Sequence, residues 1–155
     1  MRYAVIREMD VVNAEGIACS VFFQGCLRHC PGCFNPETWD FDGGKEWTDE
    51  VADKFIELCQ KPYIDCVSIL GGEPFEQGDG LYHLLKRIKA EVGKPVYVWT
   101  GYTIEEIMDI PEFCKYFTDQ LIDVLIDGSF EEDKRNLNLK LRGSSNQRIF
   151  DIYKA

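Results

Sequence analysis

The chain has 155 residues, of which 45% are hydrophobic and 13% aromatic, and its 27 acidic and 17 basic side chains give a formal net charge of −10. This length fits one domain and is too short for a closed eight-fold βα barrel, which needs about 200 residues or more. The aromatic content argues against disorder, and the negative charge argues against nucleic acid or an anionic membrane as partner. We therefore expect a single domain over residues 1–155.

Strand and helix patterns alternate along the chain. In order, they predict a strand at 3–9 on the edge of the sheet, a buried strand at 16–24, a loop at 26–44, a helix at 48–59, a strand at 66–70, a helix at 81–92, a strand at 96–100, a helix at 103–108 and a strand at 121–126. Residues from Arg135 onward fit no clear pattern. Such alternation is typical of an α/β domain with a mainly parallel sheet.

The ends of the predicted strands coincide with residues suited to chemistry. Cys26, Gly71-Gly72, Gly101 and Asp127-Gly128 each follow a strand. In parallel α/β sheets, ligands bind beyond the carboxyl ends of the strands. We therefore expect the functional site at these strand ends.

Cysteine is unusually frequent, with seven residues in the chain. Residues 1–8 are too charged for a signal sequence, and no apolar stretch approaches the ~20 residues that span a bilayer. We therefore expect a cytoplasmic protein with no membrane span. Disulfides are rare in that compartment, where clustered cysteines more often bind metal or act in catalysis.

Three of the cysteines, Cys26, Cys30 and Cys33, lie within eight residues of the predicted loop. They could be unrelated thiols, or a disulfide with one spare. They could also bind structural zinc, for which His29 is the nearest fourth ligand, although it lies inside the loop. Three thiolates without a fourth also suit an iron–sulfur cluster that keeps one iron open to a small molecule. The other four cysteines are expected to pack in the protein: Cys19, Cys59, Cys66 and Cys114.

A second motif, Gly71-Gly72-Glu73-Pro74, follows the strand at 66–70. The two glycines allow a sharp turn and a close approach to a ligand. Glu73 and the backbone carbonyls of the turn are suitable acceptors for an ammonium group. The alternative is an ordinary turn between a strand and a helix.

Together, the two motifs resemble those of the radical S-adenosylmethionine (SAM) enzymes. The cysteine loop matches their C-x3-C-x2-C pattern followed by an aromatic residue, here Phe34, and Gly71–Pro74 matches their second motif. The resemblance implies an incomplete βα barrel, open at the side. It also implies a 4Fe–4S cluster on Cys26, Cys30 and Cys33, and reductive cleavage of SAM to a 5′-deoxyadenosyl radical.

A closer resemblance covers nearly the whole chain. Residues 13–16, 22–39 and 141–149 are similar to the activating proteins of anaerobic ribonucleotide reductase. Two positions depart from the pattern of that family: Ala14 stands in place of a second glycine, and Ser129 stands where the family often has proline. That family implies formation of a glycyl radical on the reductase as protein substrate, with an electron donor such as flavodoxin. Activation of another glycyl-radical enzyme, of the formate-lyase type, is an alternative. A non-catalytic zinc or electron-transfer module is another.

The candidate SAM contacts follow from the motifs and the strand ends. They are Phe34, Gly71, Gly72, Glu73, Pro74, Thr100 and Asp127. Phe34 could stack near adenine or pack the loop, and Thr100 could meet a ribose or only begin a turn. Asp127 could accept from ribose hydroxyls, face a partner, or belong to an Asp-Gly turn. Residues 142–148 could form a capping surface strand or contact SAM or the reductase.

Overall fold

A single mixed sheet forms the centre of the structure, a computed structural model that describes residues 1–152. Its strands are β1 (Arg2–Asp10), β2 (Ala18–Phe23), β3 (Lys45–Glu46), β4 (Cys66–Gly71), β5 (Val96–Trp99), β6 (Val124–Asp127) and β7 (Arg148–Asp151). They pair in the order β3-β1-β2-β4-β5-β6-β7.

The four central strands, β2, β4, β5 and β6, are parallel. β1, β3 and β7 are antiparallel to their neighbours. β3 and β7 are the two ends of the sheet, which is therefore open over residues 1–152. The prediction of an α/β fold with a mainly parallel centre is confirmed.

Four helices connect the strands: α1 (Asp49–Cys59), α2 (Asp79–Glu91), α3 (Ile104–Met108) and α4 (Pro111–Thr118). The predicted start signals act as expected. The Thr48 hydroxyl accepts from the Val51 N–H at 3.2 Å. At α3, the Thr103 hydroxyl accepts from the Glu106 N–H, and the Glu106 carboxylate accepts from the Thr103 N–H, which completes a capping box. Among residues 1–152, no helix is long and apolar enough to cross a bilayer.

The two faces of the sheet have different coverings. On one face, alternate strand residues such as Val21, Ile69 and Val98 pack against helix residues such as Phe55 and Leu85 in the main core. The other face carries a smaller cluster without helix residues: Ala18, Cys66, Tyr97, Val124 and Ile126. Because side chains alternate along a strand, successive residues of a central strand point in turn to the helix-covered face and to the helix-free face.

β1 was predicted as an edge strand, but it lies second in the sheet because β3 pairs with its first residues, Arg2 and Tyr3. From Val5 onward its outer side has no strand partner within the part of the chain that the structure describes. Register shifts interrupt its pairing with β2 before Val5 and after Arg7. Such bulges are a common feature of exposed strand edges.

β3 was not predicted, β7 was anticipated only as one alternative for residues 142–148, and no bounds were predicted for α4. α4 has eight residues and begins with Pro111, so its apolar pattern is too short to stand out. β3 has only two residues, both exposed. β7 shows no alternation because it is an edge strand and three of its four residues are exposed. All three are recognisable only from their pairing or packing partners.

Candidate functional site

A cavity of about 460 Å³ opens on the helix-free face of the sheet. Phe22, Leu70 and Trp99 are in phase with the small cluster on that face and line the cavity near the carboxyl ends of their strands. Most of the predicted site residues line it too: Cys26, Cys30, Cys33, Phe34, Gly71, Gly72, Glu73 and Thr100. Pro74 and Asp127 do not line it.

The three loop thiols face this cavity and none forms a disulfide. Cys26 is buried, and this burial raises the pKa of its thiol. Among residues 1–152, no group of three or more His, Cys, Asp or Glu side chains is arranged so that it could hold a metal ion, and this includes the three loop thiols. His29, the possible fourth zinc ligand, is outside the cavity lining and stacks on Trp39, with ring centroids 4.6 Å apart.

Arg28 links the cysteine loop to Tyr102 and Ser129, on the opposite side of the site. Its guanidinium donates to the Ser129 hydroxyl at 2.7 Å, across 101 residues of sequence. It also lies over the Tyr102 ring, with 4.4 Å from Cζ to the ring centroid. Its Nε is buried without a hydrogen-bond partner. Sequence reasoning missed this residue because both contacts depend on distant segments.

The glycine pair brings the end of β4 against the start of the cysteine loop. A Cβ on Gly72 would lie 2.4 Å from the Gly25 carbonyl oxygen, which is closer than real Cβ atoms approach. The same oxygen accepts from the Glu73 N–H at 2.8 Å. Gly71 has φ of +148°, and a Cβ there would lie 2.5 Å from the Phe23 carbonyl oxygen. The two predicted motifs are therefore in direct backbone contact.

Glu73 is fully buried and its carboxylate has three internal donors. Its Oε2 accepts from the Phe75 N–H at 3.0 Å and the Thr100 hydroxyl at 2.8 Å, and its Oε1 accepts from the Gly101 N–H at 2.6 Å. Burial nevertheless raises the pKa of Glu73 to about 7, against the lowering effect of these hydrogen bonds. Since a carboxylate has about four acceptor positions, one remains for a ligand.

The other predicted contacts differ in whether their side chains are available to a ligand. The Thr100 hydroxyl is committed, because it donates to Glu73 and accepts from the Tyr102 N–H. Phe34 is half exposed and packs on Phe130, with ring centroids 4.9 Å apart, so its ring can both pack the loop and meet a ligand. Pro74 begins a 3-10 turn, Pro74–Gln77, whose residues do not line the cavity.

Asp127 is placed differently from its prediction as a ribose contact. It alternates with Ile126, a member of the helix-free cluster, and so points to the helix-covered face. Its carboxylate accepts from the Ile104 N–H at 2.8 Å and from the Arg148 guanidinium at 2.6 Å. These contacts join the start of α3 to β7, and they keep Asp127 out of the cavity.

The segment between β6 and β7 closes one side of the cavity. The Trp99 indole donates to the Leu141 carbonyl at 2.8 Å, which holds the segment across the sheet. The Gln147 side chain accepts from the Gly143 N–H at 2.9 Å and donates to the Gly128 carbonyl at 3.0 Å. Arg142, Gly143 and Gln147 line the cavity, while Arg148 begins the edge strand β7. The strand of this segment therefore begins only at Arg148, and a contact of the segment with SAM or the reductase stays a prediction.

Residues 12–150 match the family described as a 4Fe-4S single cluster domain, so the chain carries a domain of this class. At 38% identity it is similar to the anaerobic ribonucleoside-triphosphate reductase-activating protein of Salmonella typhi, over 98% of this chain and 99% of the relative. The proteins of the same name from Escherichia coli (strain K12) and Enterobacteria phage T4 are 36% and 33% identical, over 98% and 97% of this chain and 99% and 94% of each relative.

The chain belongs to the family of anaerobic ribonucleoside-triphosphate reductase-activating proteins. The similarity extends over nearly the full length of both chains. The family resemblance carried by residues 13–16, 22–39 and 141–149 is thereby confirmed.

The contact between Gly72 and Gly25 gives a first test. Gly72→Ala should lower the free energy of unfolding by about 1–3 kcal/mol, because the added methyl group would overlap the Gly25 carbonyl. Urea denaturation of the metal-free chain measures this. Gly80→Ala is the matched control, since its methyl group would meet only the flexible Met1 side chain and a helical position favours alanine. Equal stability of Gly72→Ala and the parent would contradict the packing argument.

The buried carboxyl of Glu73 gives a second test. Its pKa is about 7 in the folded chain against the ordinary 4.5, so the folded state binds more protons between these values. The free energy of unfolding should therefore fall by about 3 kcal/mol as the pH rises from 4.5 to 7. In Glu73→Gln this part of the pH dependence should vanish, whereas Glu112→Gln, at an exposed position on α4, should keep it. Urea denaturation of the parent and of both variants across this pH range measures these free energies of unfolding.

Proposed function

We propose that this protein is a radical SAM activase that generates a glycyl radical on anaerobic ribonucleotide reductase. The single observation that carries the proposal is the shared cavity, which places the three loop thiols beside the buried Glu73 at the strand ends. The names of its relatives point to the same reductase as protein substrate. Activation of a formate-lyase type enzyme has no observation in its favour here.

In this proposal, Cys26, Cys30 and Cys33 bind a 4Fe–4S cluster. Three observations support it. The thiols line one cavity, none is paired in a disulfide, and the matching domain family is defined by a single 4Fe–4S cluster. His29 is turned onto Trp39, so the loop offers three ligands, which leaves one iron without a protein ligand.

Glu73 and the glycine turn would hold the methionyl end of SAM. The ionised Glu73 carboxylate has one free acceptor position and favours an ammonium group. Gly71 and Gly72 also line the cavity, and their lack of side chains lets this turn pack against the Phe23 and Gly25 backbones, which positions Glu73. The rings of Phe34 and Trp99 provide flat apolar surface for adenine. Thr100 acts through Glu73, whose carboxylate it positions.

When both are bound, the chemistry supplied would be one-electron cleavage of SAM to methionine and a 5′-deoxyadenosyl radical, which would take a hydrogen atom from the Cα of a glycine in the reductase. The chain's own part is to orient SAM and to leave a side opening wide enough for another protein's backbone. An open sheet with all its helices on one face supports the proposal of an incomplete βα barrel, open at the side.

We extend this proposal to the domain organisation, the electron donor and the compartment. We propose one domain over residues 1–155, with residues 153–155 outside the described part, and a one-electron donor such as flavodoxin for the cluster. All seven cysteines are unpaired, which fits the reducing cytoplasm, where we place its activity.

The test is anaerobic reconstitution of the protein with iron and sulfide, followed by SAM, a reductant and the cognate reductase. We expect a glycine-centred doublet in the EPR spectrum of the reductase and formation of 5′-deoxyadenosine. An intact cluster that yields no doublet on the reductase would refute the assignment. A doublet only on a formate-lyase type partner would move it to another glycyl-radical enzyme.

The cluster ligands are tested separately. Cys26→Ala, Cys30→Ala and Cys33→Ala should each lose the cluster's visible absorption and most of the bound iron, because each removes one of only three ligands. Cys114→Ala is the matched control, since that half-buried thiol contacts backbone carbonyls of α3 outside the cavity. Full iron content in any of the three loop variants would exclude that cysteine as a ligand.

A further inference from the structure

Arg28 is a largely buried cation on the cavity wall, midway between Cys26 and Cys30. Its Nε is buried without a hydrogen-bond partner among residues 1–152. Its ion pair with Glu106 spans 3.7 Å, and that carboxylate is half exposed. Burying a cation and leaving one of its donors unpaired both cost free energy. A role in the site therefore accounts for this arginine better than a contribution to stability.

The contacts of Arg28 converge on Gly101, just beyond the end of β5. A Cβ on Gly101 would lie 2.4 Å from Arg28 Cδ, so a larger residue there would displace the arginine. The Ser129 hydroxyl, which accepts from the guanidinium, donates to the Gly101 carbonyl at 3.0 Å. The next residue, Tyr102, carries the ring on which the guanidinium lies. Steric, hydrogen-bond and cation–π contacts thus hold Arg28 at one place.

Gly101 also holds the carboxylate that is proposed to bind SAM. Its N–H donates to Glu73 Oε1, and a Cβ on Gly101 would lie 3.4 Å from that oxygen. One residue therefore contacts both Arg28 and Glu73. The Gly25 carbonyl, which accepts from the Glu73 N–H, fixes the start of the cysteine loop, and Arg28 fixes its middle.

The cysteine loop has little regular structure that could fix its shape. Residues 26–33 form no helix and no strand. His29 has φ of +45°, in the left-handed region that favours glycine. Such a segment depends on contacts with the rest of the protein to keep its thiols in place. An arginine suits this task, because its planar group can stack on a ring and donate hydrogen bonds at the same time.

We propose that Arg28 is a positioning residue, which holds the three loop thiols at a fixed place relative to Glu73. This inference rests on the proposed function, in which the thiols bind the cluster and Glu73 binds SAM. The guanidinium itself is committed to Ser129 and Tyr102, so it acts through the loop and not by contact with SAM. Loss of Arg28 should leave both binding sites intact and impair only their alignment.

The experiment compares Arg28→Met and Ser129→Ala with the parent protein. The first removes the guanidinium, and the second keeps it but removes the hydroxyl that anchors it. Iron content is measured after reconstitution, and SAM affinity is measured by equilibrium dialysis with and without the cluster. We expect parent iron content and unchanged SAM affinity of the metal-free chains. With the cluster, both variants should bind SAM about tenfold more weakly, because the two sites no longer align.

The EPR spectrum of the reduced cluster is a second readout that does not depend on turnover. In the parent, SAM should change this spectrum, because it binds beside the cluster. In both variants the change should be absent or much smaller at the same occupancy by SAM. Arg28→Lys should behave as Arg28→Met does, because an ammonium group retains the charge but lacks the planar fork.

Arg87→Met is the matched control. Arg87 lies on α2, outside the cavity lining, and pairs with Asp53 and Glu91. This variant removes the same charge and should match the parent in every measurement. If it weakened SAM binding as Arg28→Met does, the effect would be one of net charge and the positioning proposal would fail.

Each remaining outcome would also contradict the proposal. Parent affinity and parent spectra in both variants would show that Arg28 positions nothing. Weaker SAM binding by metal-free Arg28→Met alone would assign Arg28 to a direct contact with SAM. Loss of iron from both variants would make Arg28 a structural support of the loop. Full activity of Arg28→Lys would replace position by charge.

Failure of the proposed function gives a different result. In that case the reconstituted parent itself would neither gain affinity for SAM from the cluster nor cleave SAM, and the inference about Arg28 would fall with it. In every outcome described for the variants, the parent binds and cleaves SAM. The two failures are therefore distinguished by the parent protein alone.

Discussion

The backbone contact between the end of β4 and the start of the cysteine loop is the constraint on which the site depends. The Gly25 carbonyl accepts from the Glu73 N–H, and only a glycine at position 72 leaves room for that approach. The same contact brings the Glu73 carboxylate to the end of β5, where Thr100 and Gly101 donate to it. Two segments about forty residues apart thus share one cavity.

The distribution of the helices explains where that cavity lies. The main core forms between the helices and one face of the sheet, and the opposite face keeps only a small cluster. The turn after β1 and the segment before β7 cover part of this second face, and an ion pair between Glu15 and Lys140 joins them. The space left beside them is both the proposed SAM site and the proposed entrance for the partner's backbone.

Side-chain alternation separates the residues that bind from those that support. Trp99 and Phe22 are in phase with the cavity, whereas Asp127 is out of phase and holds α3 and β7 together instead. Thr100 and Arg28 also support the site, the first through Glu73 and the second by tying the cysteine loop to Ser129. The strand ends are therefore a mixture of binding and positioning residues.

The sequence by itself determined the α/β class, the capped helix starts at Thr48 and Thr103, the family, and the two motifs. These depend on local spacing and backbone chemistry, which a linear pattern carries. Only the tertiary structure decided that Asp127 faces the helices, that Arg28 and Gln147 hold the segments around the cavity, and that β7 forms one edge of the sheet. Each depends on strand phase or on contacts across long stretches of chain.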